Sequence, residues 1–452
     1  MSCVNLFPHQ EAALQRAEGL NRVAFYHDMG LGKTYTGAEK MFRLGARVNL
    51  LICQKSKIQD WLDHIVDNYE ASEHVMVYDI TKWKKADWDV FSKDPAMLKD
   101  WHGAEKYVMI GNYELVWRRK DLLKLRDFTL MLDESSLIQN KTAKQTKFVL
   151  KLQPANVILL SGTPTSGKYE NLWTQAHLLG WPISEALYQR QFVNWKKLYI
   201  PGGQVIKVVD KVDPYKNVDH LKSKLREYGA QFLKTEDVMD LPEQNFIEVS
   251  ISNSKEYRKF MMDSIVVVDG LELVGDTNLT KRLYARQLCG IHSKAKLEAF
   301  RDLVASTNDR LIVFYNFTDE VKQLVAICED LNRPTNLISG QIKEYENYEK
   351  YSDSVTLVQY QAGAMGLNLQ EANKVIYYSL PERSELFEQS KKRIHRIGQK
   401  KPCFYYLMIC SGTVEEQIYA ALKERKDYTD ALFQECYGGS WVYSADRDGR
   451  GK

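Results

Sequence analysis

His27-Asp28-Met29-Gly30-Leu31-Gly32-Lys33-Thr34 lies between an apolar run, Val23-Ala24-Phe25-Tyr26, and a helix-like segment from Tyr35 to Leu44. A strand, a glycine-rich turn and a helix in that order aim backbone N–H groups and a helix N-terminus at one point, where a polyphosphate would sit. Lys33 would pair with the outer phosphates as a point charge, and the Thr34 hydroxyl would ligate Mg²⁺. The strict phosphate-loop pattern has glycine where this chain has His27, so the rest of the chain has to carry part of the argument.

Gln10 lies ahead of the loop, in Leu6-Phe7-Pro8-His9-Gln10. Its amide offers a donor and an acceptor to an adenine edge, or it simply opens a solvated helix over Glu11 to Leu20. Beyond the loop, the runs Val48 to Cys53, Tyr107 to Ile110, Phe128 to Leu132 and Asn156 to Leu160 alternate with helix-like segments. That alternation predicts a doubly wound parallel sheet with its functional loops on one edge.

The strand ends deliver Gln54-Lys55-Ser56, Gly111-Asn112-Tyr113-Glu114, Asp133-Glu134-Ser135-Ser136 and Ser161-Gly162-Thr163-Pro164. Lys55 and Ser56 suit a substrate phosphate, or alternatively cap a loop. Adjacent carboxylates such as Asp133 and Glu134 are costly unless they hold a cation or a reacting water. In a phosphate-loop enzyme the first holds Mg²⁺ and the second positions the attacking water. Trp83, Trp88 and Trp101 read as packing anchors in a polar, helix-rich stretch.

From Trp181 to about Gln287 the alternation lapses: Pro201-Gly202-Gly203 is a turn between two arms, and Val218 to Lys234 reads as a basic amphipathic helix. A second alternation follows, with a helix opening at Ser293 and strands at Leu311 to Tyr315, Val355 to Val358 and Val375 to Tyr378. Between them, Gln361-Ala362-Gly363-Ala364-Met365-Gly366-Leu367-Asn368-Leu369 allows close backbone approach to a ligand. In Gln389 to Gln399, Arg393 and Arg396 are three apart and share a face if the segment is helical, as a phosphate sensor or as a solvated surface. His395 has no partner at metal-ligand spacing.

At 452 residues the chain predicts two or three domains, and 44% hydrophobic with 27% charged residues is ordinary globular composition. A net charge of +3 neither requires nor excludes a nucleic-acid partner, which needs only a local basic stripe. The seven cysteines include no C-x-x-C pair and read as buried thiols of a reducing compartment. Met1 to Gln10 has no charged-then-apolar leader pattern and no run is long enough to span a membrane, so an intracellular, soluble protein without a membrane partner is expected.

Asp28 to Thr34, Asp133-Glu134-Ser135-Ser136, Leu160-Ser161-Gly162-Thr163-Pro164 and Asn171-Leu172-Trp173 resemble motifs I, II and III of the SWI/SNF-type ATPases in helicase superfamily two. The strings Gln361 to Leu369 and Gln389 to Gln399 resemble the same family's motifs V and VI. The resemblance runs from Gln10 to about Gln417. It implies an α/β chain of two RecA-like lobes in tandem: residues 1–180 as the first, 181–290 as a helical protrusion and linker, 291–437 as the second, and 438–452 as a mobile tail. The absence of a flanking accessory module suits a compact bacterial or phage-like form.

The resemblance further implies ATP between the lobes, with Gln10 on adenine and Met29, Gly30, Leu31, Gly32, Lys33 and Thr34 around the phosphates. Mg²⁺ would be held by Thr34 and Asp133, water activated by Glu134, and the γ-phosphate reached by Arg393 and Arg396 from the second lobe. Ser161, Thr163, Gly366 and Gln399 would couple hydrolysis to lobe movement. A duplex-DNA track, largely sequence-independent, would use Lys55, Ser56, Asn112, Tyr113, Gly340 and Asn368, with an unidentified protein partner left open for targeting. The implied function is a DNA-stimulated ATP hydrolase that translocates along duplex DNA or remodels protein–DNA complexes; the alternatives are a strand-separating helicase and an ATP-gated DNA clamp. The chain departs from the family at His27, at Ser136, where histidine is common, and at Leu233-Lys234, where paired arginines are usual.

Overall fold

Strands buried on both faces read as unbroken apolar runs, and in the computed structural model those runs form the centres of two parallel sheets. The structure describes residues 4–93, 105–199, 205–360 and 368–433. The first lobe holds β1 (Arg22–His27), β2 (Val48–Cys53), β3 (Val75–Asp79), β4 (Lys106–Asn112), β5 (Thr129–Asp133) and β6 (Asn156–Leu160). A hairpin of β7 (Trp195–Tyr199) and β8 (Val205–Val209) follows, and β9 (Ala230–Leu233) then returns to the edge. The order in this seven-stranded sheet is β3-β4-β2-β5-β6-β1-β9, and every pairing is parallel.

The period of two along each strand divides the core between the faces of the sheet. Val23, Phe25, Leu51, Ile110, Met131 and Ile158 pack into one cluster, while Ala24, Tyr26, Leu50, Met109, Leu130 and Leu159 pack into another. Both clusters are buried, which leaves the carboxyl edge of the sheet as the place for ligands.

The chain crosses to a second sheet through β10 (Gln244–Ile251) and a hairpin of β11 (Ile265–Val268) and β12 (Leu271–Val274). β13 (Leu311–Tyr315), β14 (Thr335–Ile338), β15 (Val355–Gln359), β16 (Lys374–Tyr377) and β17 (Cys403–Cys410) complete it. The six strands run β10-β17-β16-β13-β15-β14, again all parallel. Two tandem parallel-sheet α/β lobes are therefore present.

Residues 181–290, expected as a helical protrusion and linker, also supply one strand to each main sheet. The helix expected over Val218 to Lys234 spans only Val218–Glu227. Gly229 stops it at φ +87, where a Cβ would lie 2.4 Å from the Arg22 carbonyl, and β9 begins immediately afterwards. The tip of the first hairpin, the motif V string through Leu367, Trp101 and the tail lie outside the described residues. Trp83 and Trp88 stack edge-on with centroids 4.9 Å apart, as packing anchors should. The five described cysteines are buried and free.

Candidate active site

The phosphate loop joins β1 to the helix Lys33–Arg43 through Gly30 at φ +88 and Gly32 at φ +68. Both values favour glycine. Lys33 Nζ donates to the carbonyls of His27 (2.9 Å) and Asp28 (3.1 Å), so the loop curls around the ammonium that would receive phosphate. Burial pulls the Lys33 pKa down, while Glu134, Asp28 and Asp133 oppose that shift.

Gln10 is buried at the back of the loop. Its Oε1 accepts from Phe7 N (2.8 Å) and its Nε2 donates to the carbonyls of Leu31 (3.3 Å) and Gly32 (3.1 Å). His9 Nε2 donates to Leu31 O as well, at 3.0 Å. Both ends of the Gln10 amide are thus engaged with protein, and it braces the turn. His27 is fully buried with no partner at either ring nitrogen, and burial first, then Lys33, drives its pKa well down, so it is a neutral packing group.

At the end of β5, Asp133 Oδ2 accepts from Trp61 Nε1 at 2.8 Å. Glu134 adopts a left-handed backbone, φ 56 and ψ 59, which is uncommon for a residue with a Cβ and is found where a side chain must be aimed. Its Oε1 accepts two hydroxyl hydrogen bonds at 2.7 Å, from Ser136 and from Ser161. Thr163 N donates in turn to Ser161 Oγ at 3.1 Å. Burial raises the pKa of both carboxylic acids, against the lowering effect of Trp61 on Asp133 and of Ser161, Lys33 and Ser136 on Glu134.

The second lobe closes this site. Arg393 and Arg396 line a cavity of about 360 Å³ together with Lys33, Thr34, Asp133 and Glu134. Arg393 Nε is buried with no hydrogen-bond partner, and burial beside Arg396 pushes its pKa down to about 10. The helix Ser384–Lys391 ends before both arginines, which sit on a turned segment and not on one helical face. Gln399 fixes that segment by donating to the carbonyls of Gln370 (2.9 Å), Ala372 (2.8 Å) and Ile394 (3.2 Å).

Asp28 ties three parts of the chain together. Its Oδ2 accepts from Lys392 Nζ at 2.7 Å and from Thr235 Oγ1 at 3.0 Å. Burial works to raise the Asp28 pKa, yet Lys392 and Thr235 hold it below the usual carboxylate range. A second seam joins Ser384 Oγ to Ser166 O at 3.1 Å and Ser166 to Glu385.

The expected DNA residues separate into two groups. Lys55 and Ser56 are exposed on a short turn after β2, and Gly340 and Asn368 are exposed on the second lobe. Asn112 and Tyr113 are buried instead, which corrects the expectation that they touch phosphate. Tyr113 hydroxyl donates to the Asp133 carbonyl at 2.9 Å and Asn112 Nδ2 to Glu114 at 2.6 Å. Gly366 lies outside the described residues. Sequence reading missed Trp61, Asp28 as a junction, and Gln175, which accepts from Ser135 Oγ at 2.7 Å; none carries a spacing signal.

The donor set fits a divalent cation. The carboxylates of Asp133 and Glu134 line the same space as Thr34, which opens the adjoining helix, so hard oxygen ligands of the kind a divalent cation takes lie together there.

A family model described as the SNF2-related domain matches residues 13–289, and one described as the helicase conserved C-terminal domain matches residues 295–398. The chain belongs to the SNF2-related family. The SNF2-related match takes in the first sheet, the crossing segment and β10, and the C-terminal match reaches through Arg393 and Arg396. Among curated relatives, a mouse SWI/SNF-related matrix-associated actin-dependent regulator of chromatin, subfamily A member 1, is 24% identical over 445 residues, covering 88% of this chain and 40% of that protein. The putative ATP-dependent helicase/translocase YwqA of Bacillus subtilis is 23% identical over 338 residues, covering 68% of this chain and 36% of that one. A solved SWI2/SNF2 ATPase core from Sulfolobus solfataricus, in complex with double-stranded DNA, is 19% identical with a TM-score of 0.43, covering 95% of this chain and 93% of that chain. This SNF2-related chain spans about two fifths of the length of the first curated relatives it matches. Among its described residues no helix is long and apolar enough to cross a membrane.

Proposed function

We propose that the chain hydrolyses ATP in the cleft between its lobes and couples hydrolysis to movement along duplex DNA or to the remodelling of protein–DNA complexes. The observation that carries this reading is the shared cavity: Lys33 and Glu134 from one lobe and Arg393 and Arg396 from the other line the same space.

In this mechanism Lys33 leaves the His27 and Asp28 carbonyls for the outer phosphates of ATP. Glu134, held by Ser136 and Ser161, orients the attacking water and accepts its proton. Thr34 and Asp133 would hold Mg²⁺, which neutralises phosphate charge when bound. Arg393 and Arg396 stabilise the charge developing on the transferred group. An arginine in that role contributes roughly 10³ to 10⁵ in rate, about 4 to 7 kcal/mol of barrier.

Because the arginines belong to the second lobe, hydrolysis is fast only with the lobes closed. DNA bridging both lobes favours that arrangement and so stimulates turnover. Lys55, Ser56, Gly340 and Asn368 are the exposed positions for such a track. Contacts of this kind carry little sequence information and weaken with salt.

The test is a steady-state ATPase assay of wild type and Glu134→Gln with duplex DNA, single-stranded DNA, RNA or no nucleic acid. Duplex DNA is expected to stimulate most, and Glu134→Gln to bind ATP without turning it over. A rate indifferent to DNA overturns the coupling. Triplex displacement without fork unwinding supports translocation, and fork unwinding points to the strand-separating alternative.

A further inference from the structure

The hairpin of β7 and β8 leaves the first lobe as an arm with a fastened base and open strands. Phe192 and Val193 beneath it are buried, Val193 bridges to Tyr215, and Asn194 Nδ2 donates to the Asp213 carbonyl at 3.0 Å. Lys196 pairs with Asp210 at 2.7 Å. Beyond this base every residue of β7 is exposed, including Trp195 at 42%, Leu198 at 50% and Tyr199 at 73%. Val205, Ile206 and Lys207 on β8 are exposed too.

A strand pair that packs on a body hides one face along its length, whereas the outer part of this one, residues 197–199 and 205–207, is exposed on both. Alternation puts Trp195, Lys197, Tyr199, Val205 and Lys207 on one face and Leu198 and Ile206 on the other. Lys197 lies directly opposite Lys207, a like-charge arrangement that is unfavourable by itself. Neither lysine has an ion pair among the described residues, and the two strands carry three lysines and no acidic residue.

We infer that this arm lies in a groove of duplex DNA, with Lys197 and Lys207 on its phosphates, as a second grip apart from the track at the sheet edges. A polyanion turns the opposed lysines from a penalty into a clamp. A groove also surrounds a ribbon on both faces, whereas a folded protein surface covers one. The major groove, about 12 Å wide, admits a two-stranded ribbon, whose apolar side chains then meet sugars and thymine methyls. This inference rests on the reading of the chain as a duplex-DNA motor.

The test is binding of duplex DNA by the full chain across a salt series, for wild type, Lys197→Ala/Lys207→Ala and the control Lys322→Ala, which removes an exposed lysine on the second lobe. Loss of two phosphate contacts reduces the slope of log affinity against log salt by about 2. The double variant is expected to show that reduction, so that its deficit against wild type is about tenfold larger at 50 mM salt than at 200 mM, while the control keeps the wild-type slope. A double variant with the wild-type slope overturns the arm while leaving the motor reading intact. A wild type that binds no duplex at all overturns both. Size-exclusion with light scattering adds a third arm: a wild type that self-associates, with a monomeric double variant, assigns the ribbon to a second copy and overturns the DNA assignment.

Discussion

Lys392 of the second lobe reaches Asp28 of the phosphate loop at 2.7 Å, joining residues 364 positions apart in the chain. Both side chains are mostly shielded, at 15% and 23% exposure, so salt screens the pair only in part. The finger-bearing segment is therefore fastened to the loop it would serve.

Removing this fastening should loosen closure. Lys392→Ala is expected to lower kcat about tenfold, equivalent to ~1.4 kcal/mol, and the double change with Asp28→Ala to cost little more than either alone. A double-mutant cycle on kcat reads this directly; additive effects would show that the pair does not act as a unit. Because the folded-state pKa of Asp28 is depressed, the fastening is present above the ordinary carboxylate range and fails as pH falls through the lowered value.

Ser136 and Ser161 both donate to Glu134 Oε1, and each lowers a pKa that burial raises. Taking away these donors raises it further. In the proposed mechanism Glu134 has to be ionised to accept a proton, so the acidic limb of the kcat profile should move to higher pH in Ser136→Ala and Ser161→Ala. Each loss of a hydrogen bond to a charged group is worth ~1.5 kcal/mol, about tenfold in kcat near neutrality. The expected signature is a larger deficit at pH 6 than at pH 8; a deficit equal at both would assign the serines to packing alone.

Glu134→Gln should stabilise the fold while ending hydrolysis. A carboxyl whose folded-state pKa is raised gives stability that is complete below the unfolded value and lost as pH rises through the folded one. At neutral pH the ionised group is therefore a burden. The glutamine variant is expected to gain about 1 kcal/mol in urea unfolding at pH 7.5, a gain that shrinks toward pH 4.

Arg393→Ala should show a loss of roughly 10³ or more in kcat with ATP affinity kept within about tenfold. It also removes a buried cation whose Nε has no partner, so the unfolding midpoint should not fall. Stopped-flow nucleotide binding beside single-turnover hydrolysis separates these effects. A variant that fails to bind ATP would place Arg393 in the ground state and not in the transition state.

Two kinds of information in this chain behave differently. The central strands β1, β2, β4, β5 and β6 and their counterparts β13, β15 and β16 were legible because burial on both faces requires continuous apolar runs. Within the two main sheets, the four strands that sequence reading passed over, β3, β9, β10 and β14, are the edges; the hairpin of β11 and β12 was passed over as well. An edge has one neighbour and a wetter face, so its residues need not be uniformly apolar. The Val218 helix was read too long for a related reason, since the turn at Gly229 is enforced by the Arg22 backbone, a contact between distant segments.

The sequence by itself determined the chemistry available: a phosphate loop ending in Lys33 and Thr34, the Asp133-Glu134 pair, and guanidinium groups at Arg393 and Arg396. Those depend on residue type and on order along the chain, which spacing preserves. Only the tertiary structure decided how the pieces are used: that Gln10 braces the loop, that Tyr113 faces inward, that Ser136 and Ser161 share one oxygen of Glu134, and that Asp28 meets Lys392. Hydrogen bonds and burial of that sort act through space over a few ångströms, and distance along the chain holds no record of them until the two sheets have packed.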